Sequence, residues 1–296
     1  MNKSFKIALI VLLSLLLISF CGLFIVLLNN NNINSFSFNL DFAEEQNLAF
    51  DKEYNNDYSN IKVNSKIGDV KFIKSENDNF SVKLYAESDK DFSIKENNNE
   101  LIINYEYESN KIVFFGINKT PRIEVYVPSN YSGKLDIKSN TGDVKIDSFD
   151  VDVVAKLNTG DIKVGNVKSY DVTTDTGDVK LTSAKSANIV TTTGDVKVGS
   201  ANTLSIKSKT GDIKVDCITG DIQISSGTGD VYVEKLNITK NSSITSNTGD
   251  ITINSTNEIY VGVKTNTGDT KINNNYRDAK YELKLKTSTG DIAVNN

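Results

Sequence analysis

The tripeptide Thr-Gly-Asp occurs ten times between Thr141 and Asp291, and this repeat constrains the fold more than any other feature of the chain. Its glycines are Gly142, Gly160, Gly177, Gly194, Gly211, Gly220, Gly229, Gly249, Gly268 and Gly290, at spacings of 18, 17, 17, 17, 9, 9, 20, 19 and 22 residues. Its aspartates are Asp143, Asp161, Asp178, Asp195, Asp212, Asp221, Asp230, Asp250, Asp269 and Asp291. A degenerate copy, Ile67-Gly68-Asp69, lies upstream. After most of these aspartates the chain runs apolar, polar, apolar, as in Val144/Ile146, Val179/Leu181 and Ile251/Ile253, and Thr270 breaks the pattern once. Such period-two alternation of β-branched residues predicts strands with one buried face.

A second strand is predicted before each turn. Apolar residues sit five and seven positions ahead of the glycine, as Ile137/Leu135 and Ile206/Leu204 do. Three positions ahead a small hydroxyl recurs, at Ser139, Thr174, Thr191, Ser208, Ser246, Thr265 and Thr287. Between Gly211, Gly220 and Gly229 the strand after one motif also serves as the strand before the next. Half a coil is therefore about nine residues, and both of its turns can carry the motif. The expectation is an all-β fold, a β-solenoid of 17–20-residue two-strand coils. A three-sided coil is disfavoured by the shortness of the repeat. No coil can bury its apolar pair alone, so coils stacked about 4.8 Å apart form one continuous core.

The motif has a local rationale as a structural turn, beginning with Thr141-Gly142-Asp143. Glycine takes φ > 0 at a sharp corner without steric cost. The Thr and Asp oxygens can accept from backbone N–H groups at the turn. Stacking then places the aspartates in a like-charged ladder. Lys145, Lys163, Lys180, Lys197 and Lys214 follow two residues after five of them, and a neighbouring Lys ladder is expected to neutralise the Asp ladder. Gln223, Tyr232, Thr252 and Ala293 replace the lysine after Asp221, Asp230, Asp250 and Asp291. Asp230 and Asp250 are therefore the candidate Ca²⁺ ligands, because hard cations want clustered carboxylates. The glycine-rich pattern of Ca²⁺-binding β-rolls is missing, and no other cofactor is expected.

Residues 58–130 are β-rich without the short repeat, with candidate strands at 60–66, 69–74, 80–86, 100–107 and 122–127. They are read as an N-terminal cap that covers the open solenoid end, with the repeat region at 131–296 and a seam at Pro128. Charge shifts there too: residues 29–130 hold 11 Lys/Arg against 17 Asp/Glu, and residues 131–296 hold 20 against 21.

Residues 7–28 carry no charge. At 1.5 Å per residue they would span about 33 Å, enough to cross a bilayer core as one transmembrane α-helix. Lys3 and Lys6 precede the stretch, so the positive-inside rule puts a short tail, residues 1–6, in the cytoplasm. Residues 29–57 would be a polar spacer leading into the domain. The run is too long for a cleaved signal peptide, and Phe20 ahead of Cys21 does not suit lipidation. The expected location is a cell membrane, single-pass, with the C-terminal domain outside.

Composition narrows function. A net charge of −5 argues against nucleic acid. The absence of His removes Ser-His-Asp triads and His-based zinc sites. Arg122 and Arg277 are the only arginines, and the repeat shows no irregular carboxylate pair, so no enzymatic activity is expected. Cys21 and Cys217 lie in very different segments and form no disulfide framework. Tyr260, Tyr276 and Tyr281 could form a sugar-stacking patch, although tyrosines in strands more often pack.

Ile61-Lys62-Val63 with Gly68-Asp69-Val70, Leu101-Ile102-Ile103, Val125-Tyr126-Val127-Pro128 and the TGD series together form a recognisable arrangement. Over residues 58–296 the chain resembles the bacterial TGD-repeat, adhesin-like family of membrane-anchored β-strand-repeat domains, a family of unknown function. The resemblance implies an extracellular β-solenoid-like domain and supplies no catalytic residues. The expected function is a surface interaction module for wall polymer, glycan or an envelope protein. The alternative is an accessory or sensor subunit of an envelope-stress response, working through a membrane partner.

Overall fold

The strands that flank the TGD turns stack in parallel on their counterparts in the neighbouring coil, so that inward side chains of one coil stand over those of the next, as Val179 over Val196 and Ile189 over Ile206. A computed structural model describes residues 47–55, 57–107 and 120–295. The described strands form one continuous sheet wound into a solenoid. The segment 7–28 lies outside the described residues. Among the described residues no helix is long and apolar enough to cross a membrane.

The early strands are β1 (Leu48–Tyr54), β2 (Asn60–Ile67), β3 (Asp69–Lys74), β4 (Phe80–Tyr85), β5 (Phe92–Asn97), β6 (Glu100–Tyr105) and β7 (Arg122–Val127). The repeat follows as β8 (Lys134–Thr141), β9 (Val144–Ile146), β10 (Asp152–Thr159), β11 (Ile162–Thr176), β12 (Val179–Thr193), β13 (Val196–Thr210) and β14 (Ile213–Thr228). The last elements are β15 (Val231–Leu236), β16 (Ser242–Thr248), β17 (Ile251–Thr256), β18 (Tyr260–Lys264), β19 (Thr270–Ile272), β20 (Glu282–Thr289) and β21 (Ile292–Val294).

The long strands show that a coil has three sides, not the two expected. In β11 the buried residues are Ile162 and Val164, then Val167, then Tyr170, Val172 and Thr174. The inward phase slips by one residue near Gly165 and again near Lys168. Side chains alternate strictly along a strand, so each slip requires a bend. The ladder to β12 likewise skips Gly165 and Lys168. A short third side, centred on Val167 and its stacked equivalents Ala184, Ala201, Ile218 and Leu236, joins the two longer ones.

The stack does not follow chain order at either end. At the N-terminal end, β2 pairs with both β6 and β8, and β3 pairs with both β7 and β9. The first coil in sequence therefore lies inside the stack, with the β6–β7 coil outside it. Pro128 is no break in the stack, because the coil formed by β2 and β3 shares the turn geometry of the later repeats, with φ +119° at Gly68. Beyond β6 and β7 the pairing turns antiparallel: β4 on β7, β1 on β4 and β5 on β6. These antiparallel strands are the actual cap. The C-terminal end mirrors this arrangement: β20 pairs with β16 and β18, and β21 pairs with β17 and β19. The last coil in sequence is clamped between its two predecessors, and β18 with β19 forms the outer end. An open end would leave a row of unpaired strand groups, and chain order hides which coil carries that burden.

One core runs the length of the stack, from Ile61 to Val294. Tyr170 is its largest irregularity. It is 1 % exposed, and its hydroxyl has no hydrogen-bond partner among the described residues. Burial pushes its ionisation well above the ordinary tyrosine value. Removing an unsatisfied buried hydroxyl gains about 1 kcal/mol, so Tyr170→Phe is expected to raise the melting temperature. The folded-state pKa lies above the unfolded one, so Tyr170 favours folding fully below about pH 10 and loses that contribution as pH rises further. Between about pH 9 and pH 12 the parent should therefore lose stability more steeply than Tyr170→Phe. Thermal melts across that range check this, and identical slopes would count against it.

Candidate binding face

The TGD corner forms the most regular surface of the molecule. Nine of the ten motif glycines, all but Gly220, have φ between +131° and +141°. The N–H groups of eight of the nine, all but Gly268 on the outermost coil, donate to a Thr carbonyl of the next coil in the stack, as Gly177 does to Thr193 at 2.9 Å. The aspartates then bind one another's backbone. The Asp143 N–H donates to Asp69 Oδ1, Asp161 to Asp143, Asp178 to Asp161, Asp195 to Asp178 and Asp212 to Asp195, at 2.8–3.0 Å. The series continues from Asp230 to Asp212, Asp250 to Asp230, Asp291 to Asp250 and Asp269 to Asp291, at 2.7–2.9 Å. Each negative charge is thus held by a backbone dipole of the next coil, which offsets the repulsion along the column.

This ladder makes Asp195 testable. Asp195→Ala takes the acceptor from the Asp212 N–H and should cost about 1 kcal/mol. Asp195→Asn keeps an oxygen in place and should cost far less. Equal losses for the two in thermal melts would contradict the ladder's role.

Gly220 and Asp221 depart from the expected turn. They lie inside β14, and Gly220 has no positive φ. The coil from Gly211 to Gly229 carries one residue more than its neighbour, and the register against β13 shifts between Ala201 and Thr203. The TGD there absorbs a bulge at another corner. The Asp221 carboxylate faces Thr203 and Lys240, away from the Asp column.

The hydroxyls three positions ahead of the glycines form a second column. Ser139, Thr174, Thr191, Ser208 and Ser246 are buried, and Ser226 joins them. The Thr287 hydroxyl donates to the Gly249 carbonyl and Thr265 to the Gly290 carbonyl, both at 3.1 Å.

A Lys column stands beside the Asp column, on the first strand after the corner. Register places Lys71, Lys145, Lys163, Lys180, Lys197 and Lys214 on successive coils. Lys71 went unnoticed in the repeat pattern, though it stands at the same offset after Gly68. Among the described residues none of the six forms an ion pair within 4 Å, so direct neutralisation of the aspartates is not what the geometry provides. A groove of about 420 Å³ runs between the two columns, lined by Asp69, Asp143, Asp161 and Asp178 on one side and Lys71, Lys145, Lys163 and Lys180 on the other. At the N-terminal end the signs invert: Arg122 stands opposite Asp69 and Glu124 opposite Lys71, with Arg122 Nε 2.8 Å from Glu124. At the other end Tyr232 replaces lysine, under Lys214 Nζ at 5.4 Å from the ring centroid. The Tyr232 hydroxyl and the Asn254 amide donate to Glu234 and hold its carboxyl below the ordinary range.

Asp230 and Asp250 are adjacent, with Asp250 N–H 2.8 Å from Asp230 Oδ1. Each has one oxygen already engaged by a backbone N–H, and Ca²⁺ takes six to eight oxygens. Among the described residues no group of three or more His, Cys, Asp or Glu side chains is placed to hold a metal ion. Tyr260 and Tyr276 are exposed at the outer coil, tied by Tyr260 N–H to the Tyr281 carbonyl and Tyr276 N–H to the Ile259 carbonyl. The Tyr281 ring packs partly on the core. Cys217 is a free thiol on β14.

A parallel β-solenoid with a continuous Asp–amide ladder at one corner is a repeat domain in which each coil contacts only its neighbours in the stack. The chain belongs to the Toastrack family (DUF4097), whose pattern it matches over residues 58–295. No curated protein matches the chain. Among solved structures, the chain is similar to an adhesin candidate from Bacteroides fragilis, at 14% identity and a TM-score of 0.47, over 83% of this chain and 96% of that one. It is also similar to a candidate cell adhesion protein from Clostridium sporogenes, at 12% identity and a TM-score of 0.27, over 83% of this chain and 98% of the other.

Proposed function

We propose that the chain is a membrane-anchored surface module of a bacterial cell, which holds a rigid interaction face outside and binds an extended envelope ligand without catalysing a reaction on it. One observation carries this reading: Asp and Lys columns run in register over six successive coils and are exposed on the five from Asp143 to Lys214, beside an equally exposed Thr column from Thr141 to Thr210. A regular face repeated at about 4.8 Å suits a polymer better than a compact ligand. The anchoring half of the proposal rests on the uncharged stretch at residues 7–28.

The test is co-sedimentation of the full-length chain, in a non-ionic detergent, with isolated bacterial cell walls. Saturable binding is expected. Failure to sediment at any wall concentration would overturn the polymer-binding reading and turn attention to a partner in the membrane.

A further inference from the structure

The lysine column is not needed to hold the corner together. In the three coils stacked next after Asp212, Tyr232, Thr252 and Ala293 occupy the lysine position, and Lys271 returns there only on the outermost coil. The Asp ladder there is intact, at 2.8 Å from Asp250 to Asp230 and 2.7 Å from Asp291 to Asp250. Backbone N–H groups therefore hold the aspartates with or without lysine beside them. Six lysines in strict register, five of them with no partner among the described residues, are surplus to folding.

The arrangement of the two columns defines what would fit. Asp69, Asp143, Asp161, Asp178, Asp195 and Asp212 form a negative row, and the six lysines form a parallel positive row two residues on. The two rows rise together by about 4.8 Å per coil, or about 24 Å over the array. The groove between them carries no net charge, so a plain polyanion would meet as much repulsion as attraction. On the far side of the lysines stand Gly165, Thr182 and Gly199, small and uncharged, which leave the central ammonium groups open. All six cations are Lys, whose ammonium binds phosphate as a point charge, and none is Arg, whose fork would impose a bidentate geometry on the anion. The array stops at the inverted Arg122–Glu124 pair at one end and at Tyr232 at the other. Among the six coils no aromatic side chain stands in the lysine row, so the stacking platform of a single-stranded nucleic acid binder is missing there.

The geometry points to a linear zwitterionic polymer as the ligand of this groove: phosphate groups seated on the lysines, and pendant ammonium groups on the free Oδ2 atoms of the aspartates. This rests on the surface-module reading above and names the class of polymer for it.

Two forms of one polymer test it directly, namely polyglycerol phosphate bearing aminoacyl esters, and the same material after alkaline removal of the esters. The first is zwitterionic and the second purely anionic. The full-length chain in non-ionic detergent should bind the esterified form at least about tenfold more tightly, since many weak exposed pairs act together. Lys163→Gln/Lys180→Gln/Lys197→Gln and, separately, Asp161→Asn/Asp178→Asn/Asp195→Asn should each weaken binding about tenfold or more. The Asn set keeps an acceptor for the ladder N–H groups, and its melting temperature verifies folding. Lys138→Gln/Lys156→Gln/Lys207→Gln, on the opposite side of the coil, should bind as the parent does. Tighter binding of the de-esterified polymer, stronger binding by the Asn set, or no binding of either form by the folded chain would overturn the assignment. If walls still sediment the protein in the last case, the surface-module reading stands and only the polymer class falls.

Discussion

Gly194→Ala is expected to destabilise the solenoid by about 3 kcal/mol or more, from strain and backbone overlap together. Gly194 has φ +136°, a region that side chains rarely enter. A methyl group there would lie 2.1 Å from the Gly177 carbonyl oxygen and 2.5 Å from its carbon. Neither atom can rotate away, because both belong to the backbone of the coil below. Moving that coil would break the Gly177 N–H bond to Thr193 and the Asp195 N–H bond to Asp178. Gly262 provides the contrast. A methyl group there meets the end of the flexible Glu282 side chain at 3.2 Å and the Tyr260 ring at 4.0 Å, and φ lies outside the left-handed region. Gly262→Ala should therefore change stability by less than about 1 kcal/mol. Chemical denaturation of the two variants checks the difference, and similar midpoints would contradict the packing of the corner.

Deletion of residues 282–296 is expected to do more than remove one coil. It takes away β20 and β21, which lie between the coils of β16–β17 and β18–β19. Leu283, Leu285, Ile292 and Val294 are at most 1 % exposed, and each such burial contributes about 1.5–3 kcal/mol. The stranded residues 257–281 would lose the ladder partners of both their strands. They should lose their hydrogen-exchange protection, while the coils before β16 keep theirs, as nearest-neighbour coupling in a repeat stack implies. The bared edge of β16 and β17 should also promote self-association, visible by sedimentation velocity. In a solenoid stacked in chain order, residues 257–281 would remain protected after this deletion. That outcome would refute the clamped end.

Much of the coil was legible from the repeat itself. The alternation after each Asp and the offset of the hydroxyls gave the strands their faces, since burial imposes period two. The third side was less visible, because it is signalled only by one-residue phase slips at Gly165 and Lys168, which average out when coils are read as apolar pairs. Stack order at the ends could not be read from spacing. The 22 residues from Gly268 to Gly290 resemble any other coil, yet Gly290 sits against Gly249. The strands β1 and β5 escaped notice for another reason: both are largely exposed, and the alternation in β5 is confined to half-buried Phe92 and Ile94, too short to reveal a strand. The Asp column was readable, and its neutralisation by lysine was the wrong inference. A carboxylate two residues from an ammonium looks paired in sequence, whereas the nearer partner is the amide of the next coil.

The account centres on one face of the coil, and lysine acetylation footprinting of the full-length chain on isolated cell walls tests it most directly. Wall binding should protect Lys145, Lys163, Lys180 and Lys197. Lys138, Lys156 and Lys207, exposed on the opposite strands, should react as they do in the free protein. Protection of the second set instead, or equal protection of both, would contradict the claim that the corner columns carry the function.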